Sequence, residues 1–414
     1  MKHAVGGLAA LAVGLIAASV FVRRRRRRRW HARGDADSLS AFTVTVSRGA
    51  PSKATVSVVG ASERAWSFGI GWVQGMYYPP FVDEARLAWL QRAVSLRADD
   101  VVIVTYAKCG TTWIEQLVLL LLARGDLGRL DPLHKNAYSA ARGAGKVWCE
   151  AALVDDEARS GAAAAAPFDD GAGGEGTPVG IAHFRDAMPS PRVIKTHARA
   201  RLLLGRGGGE RDAPQPPARA RLIYVTRNPK DACVSGFYHA FNPHKQGWPF
   251  GAWAAAWSAG HVPSGAWFDH VREWREEFSA AERAGEPRLW LHYEAMLADP
   301  ERAVARVADF LWPAGRPAWC DAAAIARVAR ACGFDAMRAA SAAAADARAS
   351  RGLKVWAPGR THLRKGVAGD WREHFSPVLS AEFDRLFEER MAGTGLVYDM
   401  GDGERLVAPA RTRG

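Results

Sequence analysis

The sequence predicts an α/β fold: a P-loop-like parallel sheet with helices on both faces, in a single catalytic domain. The first observation is the continuous β-branched run at residues 101–104, which is typical of a parallel strand covered on both sides. The second is that further short strand patterns, at residues 192–195, 221–226 and 288–292, alternate with helical or loop segments. This order favours a sheet wrapped by helices, with ligands beyond the carboxyl ends of its strands.

Length and composition limit the classes of protein to consider. With 414 residues, 48% of them apolar, the chain can form one large α/β domain with appendages, or two smaller domains. The net charge is +13, and seven arginines at residues 23–29 leave +6 for the remainder. That excess suits an anionic ligand, and we expect no nucleic-acid partner. Five widely spaced cysteines without a C-x-x-C pair indicate a reducing compartment and argue against disulfides or a metal site.

Residues 1–29 form a separate N-terminal segment. Residues 4–22 are uncharged and apolar, and nineteen residues at about 1.5 Å each nearly match the ~30 Å hydrocarbon core of a bilayer. The arginines that follow would stay on the cytoplasmic side by the positive-inside rule. We therefore expect a single anchor at the cytoplasmic face of a membrane, with an organelle-targeting segment as the alternative.

The rest of the chain divides by composition. Residues 30–65 read as a polar linker with a candidate hairpin around Gly49 and Pro51, where apolar and polar residues alternate. The catalytic domain is predicted over residues 66–400. Gly-rich insertions near residues 158–180 and 205–218 read as surface loops, and residues 401–414 read as a loose tail.

The first chemical motif follows the strand at residues 101–105. A short turn leads into an apolar helix, which places a lysine and several backbone N–H groups at a helix N-terminus, where a phosphate-like anion can bind. The glycine lets the backbone approach a ligand closely. An ordinary strand–helix unit is the alternative, and the order K-C-G-T-T-W does not match the Walker A pattern. The residues of this turn are Lys108, Cys109, Gly110, Thr111 and Thr112.

A second motif begins at Arg227, at the carboxyl end of the strand at residues 221–226. Asn228 can cap the following helix and Asp231 complements its dipole. Ser235 lies two turns further on, on roughly the same face, so Arg227 and Ser235 can bind one anion with a guanidinium and a hydroxyl. The alternative is an arginine paired with a nearby acid and a serine that faces solvent.

A third motif, at residues 363–375, contains Arg364, Lys365 and Gly366. It offers two cations and a glycine at which the backbone can approach a ligand closely. Taken alone, this pattern also fits an exposed basic turn before a helix. The Gly-Asp-Trp that follows makes the whole pattern more specific.

These three motifs, in this order, resemble the cytosolic sulfotransferase family, and the resemblance covers roughly residues 68–398. It implies a sulfotransferase that uses 3′-phosphoadenosine 5′-phosphosulfate (PAPS) as donor, without a metal. The first motif resembles the loop for the 5′-phosphosulfate, and the other two resemble the site for the 3′-phosphate. Ala107 and Cys109 stand where the family usually has proline and serine, and neither change removes a charge or a backbone donor.

The resemblance also implies catalytic roles. His197, just after the strand at residues 192–195, resembles the family's base, and an imidazole with a pKa near neutrality suits proton removal from an acceptor. Lys195 resembles the lysine beside that base. Lys108 would face the leaving phosphate oxygen, where negative charge develops. Without this context His197 reads as one more structural histidine.

Four further residues resemble the family's adenine site. Trp113 and Phe334 fall at the positions that sandwich the base, and Tyr293 can hydrogen-bond its edge. All three are also ordinary candidates for the hydrophobic core. Cys332 stands where the family often has threonine, which removes a side-chain hydrogen bond to adenine but not the stacking.

The acceptor is expected to be a small molecule with a hydroxyl or amine, and its identity does not follow from the sequence. Two other functions stay open: a P-loop-type nucleotide kinase, and a membrane-anchored nucleotide-binding protein without activity. The dimer motif that the family carries after its Gly-Asp-Trp is degraded here by Pro377 and a lengthened run before Glu382. Dimerisation by that route is therefore not expected.

Overall fold

In the computed structural model, an antiparallel sheet is the first sheet of the described residues. Strands β1 (Phe42–Arg48), β2 (Lys53–Gly60), β3 (Ala65–Val73) and β4 (Met76–Tyr78) pair in chain order. Val44 lies opposite Val58 in the β1–β2 hairpin, and β2 alternates buried and exposed side chains, as expected of a sheet with one face on the core. β3 runs through the boundary that we placed between residues 65 and 66. The domain limits themselves stay predictions.

A five-stranded parallel sheet forms the centre of the protein, as predicted. Its strands are β5 (Val101–Thr105), β6 (Gly145–Trp148), β7 (Arg192–Thr196), β8 (Arg221–Thr226) and β9 (Arg288–His292), in the order β6-β7-β5-β8-β9. Because β7 and β8 lie on opposite sides of β5, the strand order reverses there. Such a switch point opens a crevice at the carboxyl ends of the strands, where α/β proteins bind ligands.

Helices cover both faces of the parallel sheet, which confirms the predicted fold class. β5 sends Val102 and Val104 into one apolar cluster, and Val101 and Ile103 into the other. This explains why the strand is apolar at every position rather than at alternate ones. The helices with described bounds are α1 (Thr111–Leu122), α2 (Ala200–Leu203), α3 (Pro229–Phe237), α4 (Phe250–Ser258), α5 (Trp267–Arg283), α6 (Tyr293–Ala298), α7 (Pro300–Leu311), α8 (Ala322–Ala331), α9 (Phe334–Ala349) and α10 (Pro377–Met391).

The C-terminal segment folds back as a hairpin. Strand β10 (Val397–Asp399) pairs with β11 (Arg405–Val407), with Val397 opposite Val407. The turn between them holds Gly401, Asp402 and Gly403 at positive φ, the conformation that a tight hairpin requires. The prediction of a loose tail is therefore wrong for residues 401–410, because we missed this Asp-Gly turn signal.

The segment that contains the degraded dimer motif contacts the chain's own N-terminal region. The Glu382 carboxylate, on α10, accepts hydrogen bonds from Ser38 Oγ and Leu39 N, both at 2.6 Å. This contact joins the first described residues to a C-terminal helix.

Several predicted segments lie outside the described residues, among them residues 4–22 and the two insertions. No helix in the described part of the chain is long and apolar enough to cross a membrane. The structure describes residues 38–49, 52–73, 76–78, 84, 87, 96–126, 145–148, 190–204, 220–239, 243–350 and 363–410.

Candidate active site

The loop after β5 has the strained geometry of a tight anion-binding turn. Lys108 has φ 72° and Gly110 has φ 98°, both in the left-handed region. Gly110 is the N-cap of α1, and its helix start has no side-chain cap, so Thr111 and Thr112 present first-turn N–H groups at the positive end of the helix dipole. A Cβ on Gly110 would lie 2.8 Å from Tyr293 Cδ2. The position therefore requires glycine for both conformation and space.

Cys109 serves the turn itself. Its N–H donates to Tyr106 O at 3.2 Å, so the amide that we expected to face an anion closes the loop instead. The side chain is fully buried, and burial raises the pKa of the thiol to about 12. Cys109 is thus a neutral packing residue at a position where a small side chain suffices.

Arg227 bridges the first and third motifs. Its Nη1 donates to Lys108 O at 3.3 Å and its Nη2 to Val367 O at 3.1 Å. The guanidinium lies over the Tyr293 ring, with Cζ 4.4 Å from the centroid, a cation–π geometry. Its Nε is buried and has no hydrogen-bond partner among the described residues. A buried donor of this kind fits an anionic ligand.

The cations of the third motif lie beside this arginine. Arg364 and Lys365 both form ion pairs with Asp370, and Arg364 also covers the Tyr238 ring at 4.7 Å. Burial raises the pKa of Asp370, but the hydrogen bonds from Lys365 and Arg364 outweigh it and hold the pKa below its ordinary value. The carboxylate therefore stays ionised and keeps the two cations together.

Asp231 fixes the third motif to the second. Its carboxylate accepts hydrogen bonds from Gly369 N at 2.8 Å, Trp371 N at 2.9 Å and Asn228 Nδ2 at 2.9 Å. From the sequence we gave Asp231 only a role at the helix dipole. The missed contacts reach across 138 to 140 residues, and no local pattern indicates them.

The three motifs come together around Lys108. Burial, together with the nearby positive charges of Arg227 and Arg364, lowers the pKa of Lys108 to about 7. Such mutual repulsion requires the three side chains to share one site. The structure thus brings Lys108, Arg227 and Arg364 into one cationic cluster.

His197 lies across the same sheet edge, one residue after β7. Its Nδ1 is 2.8 Å from Thr105 O. A carbonyl oxygen can only accept, so Nδ1 carries the proton and Nε2 holds the lone pair. Thr105 Oγ1 lies 3.2 Å from the same Nδ1 and 2.6 Å from Thr111 Oγ1. A continuous set of hydrogen bonds therefore links the imidazole to the start of α1.

Lys195 and Ser235 occupy less central positions. Lys195 Nζ lies 3.6 Å from Glu115 Oε2, on the first turns of α1. Ser235 is half-buried on α3. That helix is capped as predicted, with Asn228 Oδ1 accepting from Asp231 N at 2.9 Å.

The predicted adenine residues fall into two pairs. Trp113 and Tyr293 meet edge to face, with centroids 5.4 Å apart. Phe334, at the start of α9, packs so closely on Gly366 that a Cβ there would overlap its ring. Cys332 is buried, and burial raises the pKa of its thiol to about 12. Among the described residues, no group of three or more His, Cys, Asp or Glu side chains could hold a metal ion.

Comparison with known proteins identifies the family. The Sulfotransferase domain matches residues 98–395. The chain belongs to the sulfotransferase family. It is 28% identical to mouse sulfotransferase 2B1 over 350 residues, which are 80% of this chain and 84% of that protein. It is 27% identical to human sulfotransferase 1C2 over 320 residues, which are 75% of this chain and 90% of that protein.

Solved structures share the fold of this sulfotransferase. Retinol dehydratase in a complex with retinol and PAP (adenosine 3′,5′-bisphosphate) aligns with a TM-score of 0.54 at 21% identity, over 88% of this chain and 94% of that one. Mouse sulfotransferase SULT7A1 complexed with PAP aligns with a TM-score of 0.50 at 24% identity, over 78% and 94%. At these identities the similarity establishes the architecture of the sulfotransferase, and its chemistry is argued from its own residues.

Proposed function

We propose that this sulfotransferase moves the sulfuryl group of PAPS to a hydroxyl or amine of a small-molecule acceptor. One observation carries the proposal: the Lys108 turn, His197 and Arg227 follow three neighbouring parallel strands at the switch point of the sheet. A nucleotide in that crevice would meet a cation cluster at one side and a proton acceptor at the other.

Features of the cluster fit a doubly phosphorylated nucleotide. The uncapped start of α1 and Lys108 suit the 5′ end, while Arg227, Arg364 and Lys365 suit the 3′-phosphate. The buried Nε atoms of Arg227 and Arg364 have no hydrogen-bond partner among the described residues. Two related structures contain PAP, the nucleotide that remains when PAPS loses its sulfuryl group, which supports PAPS as the donor here.

His197 is the proposed base. As the acceptor oxygen or nitrogen forms its bond to sulfur, its proton passes to His197 Nε2, and the bond from sulfur to the phosphate oxygen breaks. The leaving phosphate gains negative charge, which Lys108 stabilises, a contribution of about 10²- to 10³-fold in rate. Lys195, paired with Glu115, would support the same end of the site. Adenine would lie against Trp113 and Phe334, with Tyr293 at its edge.

The acceptor and the cellular site complete the proposal. One related structure holds retinol and another androsterone, so a small molecule with a hydroxyl is the first class to screen. Attachment to the cytoplasmic face of a membrane through residues 4–22 remains a proposal. Fractionation of cells that express the full chain, compared with a chain that lacks residues 1–29, tests it: the full chain should pellet with membranes and the shorter chain should not.

Sulfuryl transfer from labelled PAPS to a panel of alcohols and amines tests the activity. His197→Asn keeps a side-chain N–H that can reach Thr105 O but removes the base, so transfer should fall about 10²- to 10⁴-fold while PAP binding persists. A kinase would instead bind ATP with Mg²⁺ in preference to PAP. That preference, or unchanged transfer by His197→Asn, would contradict the proposal.

A further inference from the structure

We propose that His270 is a positioning residue for His197, and that it holds the base through the carbonyl oxygen of His197 itself. The inference rests on the proposed function, because it concerns the placement of the proposed base. From the sequence, His270 reads as one of several core residues on an aromatic helix. The structure gives it two specific partners.

His270, on helix α5, contacts two segments of the sheet that lie on opposite sides of β5: the end of β7 and strand β8. Its Nε2 lies 3.1 Å from His197 O and its Nδ1 lies 2.9 Å from Tyr224 OH. Since the carbonyl can only accept, Nε2 carries the proton; Nδ1 must then accept from the Tyr224 hydroxyl. Both ring nitrogens are satisfied, and the side chain is fully buried.

This hydrogen-bond pattern does not change with pH in the working range. Burial, together with the positive charges that His197 and Arg199 can carry, lowers the pKa of His270 to about 3. The ring packs edge-on against Tyr106, with centroids 5.6 Å apart. A neutral, close-packed imidazole is a fixed donor, which suits a residue that sets the position of another.

The next peptide is held from the same helix. Trp274 Nε1 donates to Ala198 O at 3.0 Å, and Ala198 N donates to Thr196 Oγ1 at 2.9 Å. Helix α5 therefore fixes the loop at two consecutive carbonyl groups, those of His197 and Ala198. The imidazole ring of His197 is fixed separately, by the carbonyl oxygen of Thr105. These constraints act on the two ends of one residue, so they define where Nε2 lies.

Two roles for His270 predict different kinetics. If it only attaches α5 to the sheet, its loss should reduce stability and leave the turnover of folded protein unchanged. If it positions the base, its loss should reduce kcat and leave donor binding unchanged. Misplacement of a reacting group by about 1 Å can cost on the order of 10²-fold in rate.

A pair of amide variants separates the two nitrogens. In His270→Gln the amide nitrogen reaches the place of Nε2 and can still donate to His197 O. In His270→Asn the shorter amide reaches only the place of Nδ1, so it can accept from Tyr224 but cannot reach His197 O. Both variants lose the ring, so they are matched in packing loss.

With PAPS and an accepted substrate, we expect His270→Gln to keep kcat within about threefold and His270→Asn to lose about 10- to 100-fold. The KM for PAPS and the Kd for PAP should match the unsubstituted chain in both. Tyr224→Phe keeps the donor to His197 O and should keep kcat. Equal kcat values for the Gln and Asn variants would overturn the proposal.

Trp274→Phe decides the matter if the Asn variant does not fold. It removes one donor to the same loop and should lower kcat several-fold at constant KM for PAPS; an unchanged kcat would overturn the proposal. If the unsubstituted chain transfers no sulfuryl group to any acceptor, the proposed function itself fails. If the unsubstituted chain is active and the His270 variants have the same kcat as that chain, only the role of His270 is excluded.

Discussion

Lys108 should take up a proton when the nucleotide binds. In the free protein its pKa is about 7 rather than the ordinary 10.5, because burial and the neighbouring Arg227 and Arg364 disfavour its charge. A bound phosphate places negative charge beside the ammonium group and restores the charged form. Binding and protonation are then linked, and the linkage is measurable.

The magnitude follows from these two pKa values. At pH 8 a group with a pKa near 7 is about nine-tenths neutral, so binding should take up about 0.9 proton; at pH 6 the uptake should be about 0.1. Affinity for PAP should fall as pH rises above 7, since the proton must be supplied. Between pH 7 and pH 9 the loss attributable to Lys108 is about 50-fold.

Titration calorimetry of PAP binding in buffers of different ionisation enthalpy measures the proton count. Lys108→Arg is the matched control, because a guanidinium keeps its charge at every working pH and leaves other titrating groups in place. The difference in uptake between the two proteins should be about 0.9 proton at pH 8 and near zero at pH 6. Equal uptake at pH 8 would refute the claim that Lys108 faces the nucleotide.

Three further predictions concern the surroundings of the site. Gly110→Ala should lower the unfolding free energy by about 2–4 kcal/mol and weaken PAP binding, whereas Gly285→Ala, at a similar positive φ with open space, should cost only about 1 kcal/mol in denaturant titrations. Glu294 lies on α6, and burial raises its pKa from 4.5 to about 7. The native state therefore retains a proton between pH 4.5 and 7, and stability falls as pH rises through that window. In thermal unfolding, Glu294→Gln should be more stable than the unsubstituted protein by on the order of 1–3 kcal/mol between about pH 5 and pH 8. Asp231→Ala leaves the Gly369 and Trp371 amides without their acceptor. The variant should cost roughly 2–5 kcal/mol of stability and raise the Kd for PAP more than about tenfold. An unchanged Kd would show that these hydrogen bonds do not hold the nucleotide site together.

The sheet could be predicted because its strands are locally encoded. Residues 101–105, 221–226 and 288–292 form strands with the predicted bounds. The first two have buried apolar centres, the pattern of a strand covered on both faces, whereas the third is a partly buried edge strand. The order of the strands could not be predicted, because it depends on contacts between distant segments. The β10–β11 hairpin was missed because its two strands are only three residues each, too short for a strand pattern to draw attention to the Asp-Gly turn between them.

The candidate site was predictable where chemistry and backbone coincide. Lys108 and Gly110 lie in one turn between a predictable strand and a predictable helix, so their position at the carboxyl end of the sheet follows from the local sequence. Asp231 and His270 escaped this reasoning, because their partners lie 138 and 73 residues away in the chain. An aspartate in a first helical turn and a histidine among tryptophans have common structural explanations, so only the folded contacts distinguish them.

The central claim is that Lys108 and Arg227 contact opposite ends of one nucleotide. Binding of PAP, 5′-AMP and adenosine 3′-phosphate to the unsubstituted chain, Lys108→Ala and Arg227→Ala tests it most directly. We predict that Arg227→Ala loses the preference for PAP over 5′-AMP and that Lys108→Ala loses the preference for PAP over adenosine 3′-phosphate. If each variant keeps both preferences, the two side chains do not bind the phosphates and the account is contradicted.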